Sequence, residues 1–554
     1  MCGIWALVNL VKNKPDIGKY LADFWAINRR GPDNSCFETF PQAWVGFHRL
    51  AIMDTSFQSN QPFIFQQKDK TLVFICNGEI YNFKELITKY NLDITNNSDC
   101  KTIPSLYLKF QKEKKLDQWY KLFEREIKGE FAFVMLEFDH LKTLNKIIVG
   151  RDMIGIRPLY YHSPNKDTIR LMFTSEIKGA KNFPDSIEEF TPGNIMTLET
   201  DEFGKLERND FDFKWIYGVE QQIGHSESYY LGKVRDAVIK AVRRRLDADR
   251  PIAFLNSGGV DSSLVAGISA KILNHPINTF CCGMKGGTDL YYAKKVADHI
   301  KSNHTEVYFT SDEGVCAIND VVYATETWDT TTIRASVGQY MVCKYIGTKT
   351  DCRVVLVGEG PDEVCSSYLF NWYAPSGEDL HQAALDYVKD IHYFDSRRGD
   401  RCISYWGLEG RVPLLDPEVI EAYWNIPAEM RMPQYKGIEK WWLRKAFDGL
   451  DIIPDEILWR KKEAFSDGVS SKENSWYTII QDNCEDSISQ KDMEETNTPT
   501  KEACFFKKLF IKHFGENRIN VLPKYWLPRW NEGGITVDEY MDPSARVLKV
   551  YQES

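Results

Sequence analysis

The stretch that most restricts the fold is Ser257-Gly258-Gly259-Val260-Asp261-Ser262-Ser263, set between two segments of different periodicity. Before it, Ile252, Ala253, Phe254 and Leu255 form a short apolar run; after it, Leu264, Val265, Ile268 and Leu273 recur at helical spacing. A buried strand that turns straight into a helix leaves free amides at the helix start, and these favour an anion. Adjacent glycines let a ligand approach the backbone closely, and the serines add hydroxyl donors. The carboxylate of Asp261 would repel a phosphate unless a magnesium ion lay between them, since magnesium is held by one or two carboxylates together with phosphate oxygens.

No Gly-Lys-Ser/Thr follows at Walker spacing, which disfavours a kinase or P-loop ATPase. The string SGGVDSS resembles the pyrophosphate-binding loop of the ATP pyrophosphatases, which cut ATP between its α and β phosphates and transfer AMP to a carboxyl or carbonyl oxygen.

At 554 residues the chain exceeds one ordinary core, and two domains are expected. It is 43% hydrophobic and 27% charged, a globular composition, and its formal net charge of -10 gives no reason to expect nucleic acid. Arg243-Arg244-Arg245 reads as a solvated helix face. No apolar run reaches membrane-spanning length and no basic-then-apolar segment opens the chain, so no membrane partner and a cytoplasmic location are expected. The thirteen cysteines are scattered without a C-x-x-C pair, and most read as reduced core residues, Cys281-Cys282 in a strand-like run among them. The ten histidines show no metal spacing, and none is given a catalytic role.

The chain begins Met1-Cys2-Gly3-Ile4. Removal of the initiator would leave Cys2 with both a thiol and a free α-amine, whose ordinary range near ~8 lets it serve as the base for its own nucleophile. Arg30-Gly31-Pro32-Asp33, Gly46-Phe47-His48-Arg49-Leu50 and Asn77-Gly78-Glu79-Ile80-Tyr81-Asn82 follow. With Cys2, these resemble the N-terminal-nucleophile glutamine amidotransferases over roughly the first 200 residues. That resemblance implies an αββα sandwich, with Arg49 on the glutamine α-carboxylate, Glu79 and Asp99 on its ammonium, and Asn77 and Gly78 as oxyanion donors. Leu50, Ala51, Ile52 and Met53 continue along the pocket wall. Asp99 sits in Ser98-Asp99-Cys100-Lys101, where the family more often ends the motif in glutamate, so Lys101 changes the local charge. Gly129 to Met135 and Ile147 to Asp152 read as buried strands.

From Asp201 to His225 the chain is charged and irregular, and a linker is placed at 201–228, between a domain at 1–200 and one at 229–554. Beyond it, strands and helices alternate as in a doubly wound parallel sheet, with strands at Ile277 to Gly283, Glu306 to Phe309 and Val354 to Val357. The last runs into Gly358-Glu359-Gly360-Pro361-Asp362-Glu363, a polar loop at the carboxyl end of a strand, where open sheets bind ligands. This loop resembles a family string S-G-E-G-S-D-E with Val357 and Pro361 standing for serines.

Gly407-Leu408-Glu409-Gly410-Arg411-Val412-Pro413-Leu414-Leu415-Asp416, after Asp400-Arg401, resembles the G-L-E-x-R-V-P-F-L-D segment of glutamine-hydrolysing asparagine synthetases. Arg460-Lys461-Lys462-Glu463-Ala464-Phe465-Ser466-Asp467-Gly468 is similar to that family's R-x-K-E-x-F-S-D-G, and Asp542-Pro543-Ser544-Ala545-Arg546 also matches it. The resemblance covers nearly the whole chain. It implies the ATP-dependent synthesis of L-asparagine from L-aspartate and L-glutamine through a β-aspartyl-AMP, with AMP, pyrophosphate and L-glutamate released, ammonia passing through an internal tunnel, and a homodimer as the family's tendency.

The roles that follow from this resemblance are Cys2 as nucleophile, Glu359 in forming and using the acyl-adenylate, and Lys462 beside the departing pyrophosphate. Leu255, Ser257, Gly258, Gly259, Asp261, Ser262, Cys282, Val357 and Gly358 would surround ATP, and Asp261 and Asp362 would hold Mg2+. Competing readings are a related amidotransferase, a β-lactam-type synthetase, and a nucleotide-binding regulator with a decayed active site. Trp441-Trp442-Leu443 reads as helix packing, Trp526 and Trp530 as a cover for the sheet, and Asp482 to Thr500 as a mobile surface insertion.

Overall fold

The structure, a computed structural model, describes residues 1–9, 17–94, 96–162, 170–200, 206–461, 468–470 and 475–531. Two antiparallel six-stranded sheets form the amino-terminal part. The first runs, in spatial order, Glu188–Glu189, Tyr160–Tyr161, Arg170–Thr174, Gly3–Asn9, Ala43–Arg49 and Asn34–Thr39. The second runs Leu206–Asp212, Asn194–Thr200, Leu144–Arg151, Gly129–Asp139, Lys70–Ile80 and Phe63–Gln66.

Strand Gly3–Asn9 shows why the sheets stack. Successive side chains point to opposite faces. Ile4, Ala6 and Val8 meet Val73, Ile75, Val134 and Val149 of the second sheet, while Trp5 and Leu7 pack outward against Tyr20, Phe24 and Ile27. The outer face of the second sheet, with Phe74, Phe131 and Phe133, is covered by Leu86, Leu106, Trp119 and Phe123 from helices Phe83–Tyr90, Thr102–Lys112 and Leu116–Arg125. Each fully buried side chain of this size contributes about 1.5–3 kcal/mol. The expected αββα layering is therefore observed.

The stretch 201–228, expected as a linker, carries strand Leu206–Asp212, which pairs along its whole length with Asn194–Thr200, and the start of helix Glu227–Arg244. An edge strand whose residues 207–210 are all exposed reads as a charged, irregular sequence, which is why it was not expected here. Ser226 caps the helix, its side chain accepting from the amide of Tyr229.

The third sheet has five parallel strands, ordered Asn303–Tyr308, Asn278–Gly283, Ile252–Leu255, Val354–Leu356 and Glu409–Arg411. The chain starts in the middle, builds to one edge, then returns past its first strand and builds to the other. Helices join each strand to the next, among them Val260–Leu273, Thr288–Ile300, Ser311–Thr325 and Thr330–Lys349. The direction of winding therefore reverses between Ile252–Leu255 and Val354–Leu356, and the crevice beyond such neighbouring strand ends is where open sheets hold ligands.

Three other expectations are corrected. Arg243 is exposed as expected, but Arg245 is buried, bridging Glu130 and Asp416 at 2.8 Å each, so the arginine cluster is not solvated throughout. Asp482 to Thr500 is largely helical: Trp476–Glu485 buries Ile480 and Cys484, and Ser489 with Asp492 forms a capping box for Gln490–Thr496. Trp526 packs on Tyr368, Phe370 and Tyr387 rather than over the sheet, and its amide donates to Asp329. All thirteen cysteines are free, as expected. Among the described residues no helix is long and apolar enough to cross a membrane.

Candidate active sites

Cys2 sits at the head of the central strand of the first sheet. Its amide donates to Asn77 Oδ1 at 2.9 Å, its thiol lies 3.7 Å from the Leu50 carbonyl, and Arg30 Nε donates to its carbonyl at 2.8 Å. Burial pushes the thiol up to about 11, so it needs a base to become a nucleophile. The preceding Met1 ammonium is buried, donates to the Leu408 carbonyl at 3.0 Å, and is held down to about 6 by desolvation. Asn77 Nδ2 is buried beside Cys2 with no hydrogen-bond partner among the described residues, a donor aimed at something the chain does not supply.

Leu50, Ala51, Ile52 and Met53 are buried, and Asp33 of the Arg30-Gly31-Pro32-Asp33 turn accepts from the Ala51 amide at 2.8 Å. Arg49 Nη1 donates to the Ser56 carbonyl at 2.7 Å and to Asn60 Oδ1 at 2.6 Å, and Nη2 donates to the Asp54 carbonyl. Its guanidinium is thus oriented by the loop it precedes and pairs with no carboxylate among the described residues. Glu79 and Asp99 lie buried together. Burial, then Asp99 and Glu409, push Glu79 well up, against Arg411 and Arg157; burial raises Asp99 to about 6 despite the Ile80 amide at 2.8 Å. Lys101 turns away to the Gln58 carbonyl at 3.0 Å, so this departure from the family pattern leaves Asp99 without the lysine as a hydrogen-bonding partner.

The second centre lies at the reversal of the parallel sheet. Gly258 has φ +72°, and a Cβ there would stand 2.4 Å from that of Tyr292, so only glycine fits the bend. Ser257 Oγ and Ser262 Oγ are 3.1 Å apart, and Gly259 precedes the first turn of Val260–Leu273. A Cβ on Gly358 would lie 2.4 Å from the Ser262 amide nitrogen, so the two polar loops abut. Val357 is buried and its amide donates to the Arg411 carbonyl at 3.1 Å. Cys282 is likewise buried at its strand end, with its thiol 3.1 Å from the Gly338 carbonyl. Leu255 ends its strand half-buried.

Glu359 is largely enclosed and its carboxyl is raised by desolvation, with Arg398 opposing. Gln339 Nε2 lies 3.0 Å and Arg398 Nη2 3.2 Å from Oε1, whereas Oε2 has no partner among the described residues. Asp261 and Asp362 converge on a single cation: Lys440 Nζ is 2.5 Å from one and 2.6 Å from the other. Two carboxylates this close together are donors of the kind that would hold a magnesium ion. Lys462 lies outside the described residues.

Four residues were not assigned from sequence: Lys440, Arg398, Gly399 and Arg460. Lys440, at φ +57°, directly precedes the buried helix Trp441–Phe447, and a lysine set against so apolar a segment was the available signal. Arg460 donates to the Gly258 carbonyl at 3.3 Å and stacks 3.7 Å over Tyr292. Helix Asp395–Ser404 faces both centres: a Cβ on Gly399 would strike Glu359 Oε2 at 2.3 Å, and Asp400 grips Arg30 at 2.8 and 3.0 Å. One helix thus reaches from Glu359 to the arginine that holds the Cys2 carbonyl.

Comparison with known proteins divides the chain along the same line. Residues 1–206 match the glutamine amidotransferase domain, and residues 233–378 and 372–531 match asparagine synthase. The molecule is therefore a ligase of the amidotransferase class, with a glutamine amidotransferase domain ahead of an asparagine synthase domain. Proteins named asparagine synthetase (glutamine-hydrolysing) are similar over their full length. The one from Gallus gallus is 36% identical over 588 residues, covering 100% of both chains; that from Bos taurus is 37% identical over 586, covering 100% of this chain and 99% of its own. The one from Homo sapiens is 36% identical over 588 residues, covering 100% of both. This chain belongs to the family of glutamine-hydrolysing asparagine synthetases.

Proposed function

We propose that the protein makes L-asparagine from L-aspartate and L-glutamine at the expense of ATP, releasing AMP, pyrophosphate and L-glutamate. The observation that carries this reading is that one chain holds a half-buried thiol beside an unpartnered amide donor, and two abutting loops at a sheet reversal with Glu359 behind them. The domains divide after Asp212.

Once Met1 is removed, Cys2 gains an α-amine that takes the thiol proton as sulfur attacks the side-chain amide of glutamine. Arg49 pairs with the substrate carboxylate, and Glu79 and Asp99 with its ammonium. Asn77 Nδ2 and the Gly78 amide donate to the developing oxyanion. Ammonia leaves, and water releases glutamate from the thioester. At the other centre the β-carboxylate of aspartate attacks the α-phosphorus of ATP, pyrophosphate departs along the Ser257 bend, and ammonia displaces AMP from the resulting β-aspartyl-AMP. Glu359, raised by burial, takes the proton that the attacking ammonia must lose. Asp261 and Asp362 would hold magnesium, which when bound offsets the charge of the departing pyrophosphate. Lys440 adds a second cation there.

The deciding experiment supplies aspartate, glutamine and ATP to the purified protein and measures asparagine, AMP and pyrophosphate. Equal amounts of the three are expected; ADP and phosphate in place of AMP and pyrophosphate would overturn the reading.

A further inference from the structure

The wall of the glutamine pocket is not built by the amino-terminal domain alone. Asp249, two residues ahead of the proline that precedes strand Ile252–Leu255, reaches across the domain junction with two bonds to the segment that carries the pocket wall. Its amide donates to the Ile52 carbonyl at 3.1 Å, and its Oδ2 accepts from the Asp54 amide at 2.8 Å. Asp54 is a non-glycine residue at φ +50°, a conformation that L side chains rarely adopt and that the contacts to Asp249 favour here. The Asp54 carbonyl is one of the oxygens that orient the Arg49 guanidinium, and its carboxylate accepts from the Ser56 amide at 3.1 Å and from Ser59 Oγ at 2.6 Å. The line therefore runs from Asp249 to the Asp54 backbone to Arg49.

The platform behind Asp249 is rigid. Buried Arg411, on the edge strand of the parallel sheet, donates Nη1 to the carbonyls of Arg245 at 2.9 Å and Asp247 at 2.7 Å, and the Arg353 amide donates to the Pro251 carbonyl at 3.0 Å. The loop from 245 to 251 is thus pinned at both ends on the parallel sheet, and Asp249 is the part of it that faces the pocket segment.

We infer that Asp249 of the synthetase domain is a positioning residue for glutamine binding, holding Asp54 in its left-handed turn so that Arg49 presents its guanidinium to the substrate carboxylate. This rests on the assignment of Arg49 to the glutamine carboxylate. Asp249 touches neither substrate nor thiol. Its loss should weaken binding and leave the chemistry of the bound state and of the other domain intact.

The test is steady-state glutaminase kinetics of Asp249→Ala and Asp249→Asn beside the unaltered protein, with ammonium-driven synthesis measured in each. In Asp249→Ala the glutamine KM should rise about five- to tenfold, the loss of one charge-assisted bond to a backbone amide. Its kcat should stay within about twofold, as should ammonium-driven synthesis. Asp249→Asn keeps an oxygen that can accept from the Asp54 amide, and should return KM to within about twofold of the starting value. An unchanged KM in Asp249→Ala would overturn the inference, as would a parallel loss of ammonium-driven synthesis, since that marks a general role in joining the domains. A glutamine KM that stays raised in Asp249→Asn would overturn it too. A protein that hydrolyses glutamine equally well with and without the Cys2 thiol would instead overturn the reading of the pocket itself.

Discussion

Around Cys2, burial pushes the acids Glu79 and Asp99 toward their protonated forms; around the Ser257 bend, Asp261 and Asp362 share the buried ammonium of Lys440. On the proposed function, the difference follows from what each pocket has to meet. A pocket for a zwitterion needs acids and a guanidinium kept apart, and here Glu79 faces Arg411 at 3.5 Å rather than Arg49. A pocket for a polyphosphate has to gather positive charge, and its acids serve best when they carry cations inward. Each site leaves a polar atom unpaired among the described residues, Asn77 Nδ2 in one and Glu359 Oε2 in the other, and the second site also ties two acids to one fixed lysine.

Replacing Cys2 by alanine breaks the comparison most sharply. Glutamine-driven synthesis should fall by about 10,000-fold or more, the scale of a lost nucleophile, while synthesis from ammonium chloride persists. Equal loss of both would mean that the two centres are not separate. Glu359→Gln should give the mirror image, about a 100- to 1,000-fold loss of synthesis from either nitrogen source with glutaminase activity retained. Lys440→Met, which removes the shared cation, should slow aspartate-dependent pyrophosphate release by about 10- to 100-fold and leave the glutaminase untouched. The smallest effect is expected from pH. Asp99 keeps its proton up to about 6, and only the carboxylate attracts an ammonium, so the glutamine KM should rise a few-fold as pH falls through that value and level off above it. A KM that is flat from pH 5 to 8 would remove the acid pair from the binding site.

Much of this was legible from local pattern. A short apolar run ending in glycines, serines and acids marks a strand end at a ligand site, and both such runs, at Leu255 and Leu356, stand side by side in the parallel sheet. What escaped was set by distant partners. Arg245 looks like one of three solvated arginines until Glu130 and Asp416 are seen on either side of it, 115 and 171 residues away. Lys440 looks like helix punctuation until it is found between acids 179 and 78 residues distant. Leu206–Asp212 failed for the opposite reason: an edge strand needs few apolar residues, so its sequence carries little of the alternation that betrays a strand. Asp482 to Thr500 misled because the same acids and hydroxyls that suggest a loose segment also cap helices.

The contact between Arg30 and Asp400 belongs to a wider seam of charge between the two halves, in which Glu176 meets Arg30 and Lys178, and Glu189 meets Arg151, Arg397 and His392. These groups are shut away from solvent, and their neighbours hold Asp400, Glu176 and Glu189 below the ordinary carboxylate range. Dissolved ions weaken exposed pairs and scarcely reach enclosed ones, so the halves should keep their alignment from dilute buffer to strong brine. Acid is the agent that would part them, and only once the solution is sour enough to protonate carboxylates that resist it.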